Sequence, residues 1–164
     1  MTDKVKIYLD TNMIHDYFVN QARSIRQGQE PKVPEKFKFI LASKEKIEFI
    51  TSFLTKAEIV RELISAHGID YKEFQPVWND FIENIYCTYV DNFRFNDDLV
   101  GIASRLPMKL RTMINFMHLF IAIELSAYIV SGDKDMINKI KSIGIYEHAI
   151  NYQELRQIVE GGVN

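Results

Sequence analysis

Five short runs rich in β-branched and aromatic residues punctuate this chain, and each gives way to a stretch with helical spacing. The first, Val5–Leu9 (VKIYL), ends abruptly at Asp10-Thr11-Asn12. Beyond it Met13, Ile14, Tyr17 and Phe18 recur at helical intervals, and the helix fades by Gln27-Gly28. Residues 46–51 (KIEFIT), 85–90 (IYCTYV), 128–130 (YIV) and 145–150 supply the other four runs. Helices are predicted over 37–43, over 56–67 closed by Gly68, and over 70–83, where Pro76 bends the helix or shifts its start. Further helices are predicted over 96–105, 112–126, 133–142 closed by Gly144, and 151–159, with Pro107 breaking the pattern between the first two. Strands that alternate with helices are the signature of an α/β domain with a mainly parallel sheet.

The 164 residues suit one domain with a proper core and are too few for two, so residues 1–164 are expected to form a single unit. The Pro-containing segment 29–36 is the one clear break, and it reads as a loop because what precedes it is too short to fold alone. Apolar residues at 47% and charged residues at 26% are ordinary for a globular protein. The longest apolar stretch, 116–130, is interrupted by His118 and Glu124 and falls short of a bilayer span of about 18–20 residues. A charged start leaves no room for a signal peptide, and the single cysteine, Cys87, fits a reducing compartment. Cytoplasmic localisation is expected, with no membrane partner. A net charge of −2 argues against binding to nucleic acid by bulk electrostatics, so basic contacts would have to be local.

In a parallel sheet, ligands sit beyond the carboxyl ends of the strands. Acids recur at that place: Asp10 after the first strand, Glu58 one helical turn beyond the second, and Asp133 and Asp135 after 128–130. Each alone reads equally well as a helix cap or a first-turn residue. Their recurrence at three strand-to-helix junctions points to a shared site. Converging carboxylates raise one another's pKa, and a hard divalent cation such as Mg²⁺ or Mn²⁺ removes that repulsion. Such a cation activates water and stabilises charge on a phosphodiester under attack. Zinc is not expected, because His15, His67, His118 and His148 show no ligand spacing.

Ile7-Tyr8-Leu9-Asp10-Thr11-Asn12 resembles the opening strand of PIN domains. Thr51-Ser52 through Thr55 and Glu58 resembles their second block, and Ser131-Gly132-Asp133-Lys134-Asp135 resembles the fourth. The resemblance runs from about Lys4 to Leu155. It implies a three-layer α/β/α sandwich around a sheet of four to five strands, and a Mg²⁺- or Mn²⁺-dependent nuclease acting on RNA. It further implies an endoribonuclease that leaves a 5′-phosphate and a 3′-hydroxyl, and a toxin of a toxin–antitoxin pair, dimeric and held by an antitoxin protein. Carried over, Asp10, Glu58 and Asp133 take metal or water-activating roles with Asp135 in support, while Thr11, Asn12 and Ser131 brace them.

In the third block the family usually has an aspartate three residues before a histidine or apolar residue, and here Asn115 stands at that place ahead of His118. An amide oxygen coordinates or holds water but brings no charge, so weaker metal binding and slower turnover are expected. His118, in a long apolar helix, reads as a hydrogen-bonded, partly buried histidine rather than a general base. Phe49, Phe53, Phe116, Phe120 and Tyr128 read as core. Lys134, Arg23 and Arg26 are the candidate phosphate contacts, the last two beside Lys32, Lys36 and Lys38 around the loop, where a solvated face is the plainer reading. The stretch 106–120 suits a dimer interface as well as a core. A PIN-like module that binds RNA or protein with impaired catalysis is the competing function. An aspartyl-nucleophile phosphatase is disfavoured, because Asn12 stands where its second aspartate belongs.

Overall fold

Val5–Leu9 (β1) lies at the centre of a five-stranded parallel sheet in the computed structural model, which describes residues 4–105 and 110–161 except the side chains of 99 and 110–112. Ile7, Tyr8 and Leu9 are wholly buried, as a strand covered on both faces requires. Ile47–Ser52 (β2) pairs with β1 on one side, setting Ile7 opposite Phe49. Tyr128–Val130 (β4) pairs on the other, setting Tyr8 opposite Ile129. Thr88–Val90 (β3) and Ala149–Ile150 (β5) form the two edges, giving the order β3-β2-β1-β4-β5.

Side chains alternate across a strand, so each face of the sheet meets its own helices. Ile7, Leu9, Phe49, Val130 and Ile150 face α1 (Thr11–Gln27), α2 (Glu35–Ser43), α3 (Phe53–His67), α4 (Tyr71–Asn84) and α8 (Tyr152–Gly161). Phe18, Ile40, Ile59, Phe81 and Leu155 close that layer. Tyr8, Ile50, Ile129 and Ala149 face α6 (Leu110–Glu124) and α7 (Lys134–Ile143), packing on Leu119, Ala122, Ile137 and Ile140. A short helix, α5 (Asp97–Ala103), precedes α6. This is the expected sandwich, with five strands. The break predicted at Pro107 lies outside the described residues.

The elements depart from the predicted boundaries for local reasons. The run 85–90 shortens to Thr88–Val90 because Ile85 ends α4 and Tyr86 takes a left-handed turn at φ 52°. Ile85 and Cys87 are buried there, which mimics a strand pattern. The run 145–150 shortens to its last two residues, since 145–148 is a turn in which the Tyr146 hydroxyl donates to the Ala127 carbonyl at 2.8 Å. Helix α3 starts three residues early, directly after β2, and α2 starts at Glu35 behind Pro34. Pro76 sits inside α4 without ending it, and a reciprocal Asp70–Glu73 capping box secures the helix start at Tyr71.

The chain proceeds outward from β1 to β2 and β3, then crosses back to β4 on the far side of β1. That reversal creates a switch point between β1 and β4, where an open α/β sheet offers a crevice beyond its strand ends.

Candidate metal centre

Asp10 ends β1 and caps α1, its Oδ1 accepting the Thr11 backbone N–H at 2.7 Å. Its Oδ2 accepts from the Ser131 hydroxyl at 2.6 Å and from the Asn12 side-chain amide at 2.9 Å. The same Asn12 amide donates to Ser131 Oγ at 3.0 Å, and its oxygen takes the Gly132 N–H at 2.6 Å. Gly132 suits this close approach, because a Cβ there would sit 3.2 Å from Asn12 Oδ1. These bonds fasten the end of β1 to the end of β4 across the switch point.

Glu58 reaches the same place from α3. Its Oε2 accepts from the Thr11 hydroxyl and lies 2.8 Å from His118 Nε2. His118 comes from α6 and is wholly buried. Its other ring nitrogen, Nδ1, lies 2.7 Å from the Tyr8 hydroxyl, which lies 2.6 Å from Ser52 Oγ. His118 Nε2 is 4.0 Å from Asp10 Oδ1. One ligand atom from each of Asp10, Glu58 and His118 thus falls within 4.8 Å of the other two. Asp10 and His118 are sealed in, whereas the Glu58 side chain is 32% exposed, so the cluster opens to solvent on its Glu58 side.

Burial raises both carboxyls, and their hydrogen bonds drive the two apart. Desolvation pushes the Asp10 carboxyl above its ordinary value, although His118, Ser131 and the Thr11 amide pull the other way. Desolvation acts upward on Glu58 as well, but hydrogen bonds from His118 and Thr11 outweigh it and hold that carboxyl below its ordinary range. Burial also pushes the Tyr8 phenol well up, keeping it a neutral hydroxyl.

The predicted residues do not all meet. Asp10 and Glu58 converge, with Thr11, Asn12 and Ser131 hydrogen-bonded around them as expected. Asp133 joins only through its backbone N–H, which donates to Ser131 Oγ at 3.0 Å; its carboxylate caps α7 at the Met136 amide. Asp135 and Lys134 are exposed in the first turn of that helix. Asn115 is half-buried one turn before His118, with no hydrogen bond to the cluster among the described residues. Arg23 is exposed on α1. Arg26 is committed elsewhere: it donates to the Gly68 carbonyl and pairs with Glu73 at 3.2 Å.

His118 is hydrogen-bonded, as predicted, but fully rather than partly buried, and its partner is a carboxylate of the cluster. With Tyr8 and Ser52 it completes what the sequence reading left out. The available signal was a polar ring in an otherwise apolar helix, which has to find a partner, together with Tyr8 two residues before Asp10 on the same strand face.

No protein-family model matches the chain, and no curated protein matches it. Among solved structures it is similar to a PilT N-terminus domain protein, SSO1118, from the hyperthermophilic archaeon Sulfolobus solfataricus P2. The two share 16% identity over 98% of each chain, with a TM-score of 0.51. The fold is that of a PIN domain. At that identity the likeness extends to the fold, and the chemistry rests on this chain's own side chains.

Within the PIN fold, the donor set fits a divalent cation. Oxygen and nitrogen ligands bind such ions at about 2.0–2.2 Å, so donors around one ion lie about 3–4 Å apart. The His118–Glu58 and His118–Asp10 separations of 2.8 and 4.0 Å suit that spacing. Among the described residues no helix is long and apolar enough to cross a membrane.

Proposed function

We propose that the chain is a metal-dependent nuclease of the PIN type, an endoribonuclease that hydrolyses phosphodiester bonds of RNA with Mg²⁺ or Mn²⁺. The observation that carries this is the convergence of Asp10, Glu58 and His118 at the β1/β4 switch point, open to solvent only on one side. A bound cation there supplies an activated water and a counter-charge for the phosphoryl oxygens. Asp10 is the fixed anchor, locked by Thr11, Asn12 and Ser131, and Glu58 is the ligand nearest solvent. Asp133 and Asp135 add negative charge at the same edge, and Asn115 contributes an amide where the family has an acid. Lys134 and Arg23 are the proposed phosphate contacts, and Arg26 is the weakest of the three because it is already paired.

The same reading extends to a single domain over residues 1–164, a cytoplasmic setting, a homodimer and the toxin role with an antitoxin partner. A second reading, a catalytically impaired module that binds RNA or protein, is favoured by Asn115, which leaves the cluster with two carboxylates.

The deciding experiment incubates the protein, Asp10→Asn and Asn115→Asp with end-labelled structured RNA in Mn²⁺ and in EDTA. Nuclease function requires cleavage in Mn²⁺, more of it in Asn115→Asp, and none in Asp10→Asn or in EDTA. RNA retention without cleavage by any of the three establishes the binding module instead.

A further inference from the structure

Ser52, Tyr8, His118 and Glu58, from β2, β1, α6 and α3, are hydrogen-bonded end to end at 2.6, 2.7 and 2.8 Å. Three of the four are wholly buried. A histidine kept in the core only for packing needs one partner and gains nothing by facing carboxylates, since a buried polar network is costly to desolvate. This ring instead turns one nitrogen to an uncharged hydroxyl and the other to the open cluster.

We propose that His118 Nε2 is itself a metal ligand, so that the centre is a mixed carboxylate–imidazole site selecting Mn²⁺ and later first-row cations over Mg²⁺, with Tyr8 as the positioning residue. The proposal rests on the metal-dependent reading above. The tautomer logic follows from the chain of bonds. Without a cation, Nε2–H donates to Glu58; in the tautomer that a cation would bind, the Tyr8 hydroxyl donates to Ser52 Oγ, its oxygen accepts Nδ1–H, and the Nε2 lone pair faces the cluster in place of that bond. Metal-bound histidines are held in this way, the far ring N–H fixed by an outer partner. The phenol suits that role because it is wholly buried and its hydroxyl meets both Ser52 Oγ and the ring nitrogen. Imidazole strengthens binding along the series from Mn²⁺ towards Cu²⁺, whereas Mg²⁺ takes oxygen ligands and parts reluctantly with water. Ligands drawn from three separate elements also explain why no ligand spacing is visible along the chain.

The test is pulsed electron paramagnetic resonance on the full chain loaded with Mn²⁺ alone, with natural-abundance histidine and with ¹⁵N-histidine. Of the four histidines, only His118 belongs to the cluster, so an imidazole ¹⁴N coupling that changes on labelling reports its coordination. Calorimetry is expected to give Mn²⁺ a dissociation constant lower than that of Mg²⁺ by about tenfold or more, and His118→Gln to lose the nitrogen coupling and most of that preference. Tyr8→Phe keeps the coupling, shifts its nitrogen quadrupole parameters, and weakens Mn²⁺ binding about tenfold. Unchanged quadrupole parameters and affinity in Tyr8→Phe overturn the positioning role. Mn²⁺ bound without nitrogen coupling, or bound no better than Mg²⁺, overturns this inference and leaves the nuclease reading standing. No Mn²⁺ binding at all overturns both. Should His118→Gln fail to fold, the labelled wild-type spectrum decides alone.

Discussion

Asn12 donates its side-chain amide to Ser131 Oγ at 3.0 Å, joining positions 119 residues apart and tying the ends of β1 and β4 together. Both side chains also donate to Asp10 Oδ2, so the carboxylate is held in a closed ring of bonds.

Asn12→Ala is expected to lower stability by only about 1 kcal/mol, because Asn12 is exposed and water replaces part of what is lost. Gly132→Ala is expected to destabilise in the same direction, since its Cβ would press on Asn12 Oδ1. In the Asn12→Ala background that pressure disappears, so the double variant should be more stable than the sum of the two. Urea unfolding of the four proteins checks this; strictly additive effects would show that the contact is not transmitted.

Asp10 and Glu58 should leave opposite marks on stability against pH. Asp10 is raised, so the folded protein keeps a proton that the unfolded chain releases between the ordinary value, about 4, and the raised one. Stability falls as pH climbs through that window. Glu58 is lowered, so its contribution is full above the ordinary value and is lost as pH drops through the folded one. Asp10→Asn should therefore flatten the decline on the rising side, and Glu58→Gln the loss on the acid side. Unfolding midpoints from pH 3 to 8 for the three proteins separate the two effects.

Arg26 joins the end of α1 to the turn before α4 through the Gly68 carbonyl and Glu73. Both charged side chains are about half or a third exposed, so Arg26→Ala is expected to cost at most about 1 kcal/mol. It should leave RNA affinity nearly unchanged, whereas Lys134→Ala, next to Asp133, should weaken it and reduce its salt dependence. A filter-binding salt titration distinguishes the two, and a larger loss in Arg26→Ala would reassign the contact surface.

The aromatic layer under α1 sets the stability of that face. Phe81 is wholly buried, with ring centroids 5.1 Å from Phe18 and 5.6 Å from Trp78. Phe81→Ala is expected to cost about 3–5 kcal/mol through lost burial and the cavity left behind, and Phe81→Leu clearly less. Equal costs for the two, measured by thermal unfolding, would mean that the layer collapses around the gap.

The centre of the fold is legible in sequence where one residue performs two tasks. Asp10 stops β1 and starts α1, so both boundaries can be read from it, and β4 is as short as its apolar run. Edge strands β3 and β5 are not legible to the same degree, because they pair on one side only and buried residues continue beyond the ladder. The two carboxylates could be found from their place at strand ends. His118 could be found as a hydrogen-bonded ring but its place in the cluster could not, because what the ring does is fixed by Tyr8, 110 residues away, and by Glu58 on a third element. Asp133 shows the converse. Its position fits the pattern, yet the carboxylate is engaged with its own helix.

The switch point between β1 and β4 also bears on how such a chain can be made. Its polar cluster gathers Tyr8, Asp10, Ser52, Glu58, His118 and Ser131, so no amino-terminal portion that stops short of β4 contains it. A ribosome translating this message therefore carries a growing polypeptide that lacks the assembled centre until α6 and β4 have emerged and β4 has docked beside β1. For a protein proposed to cut RNA, that order of assembly shields the transcript being read from its own product.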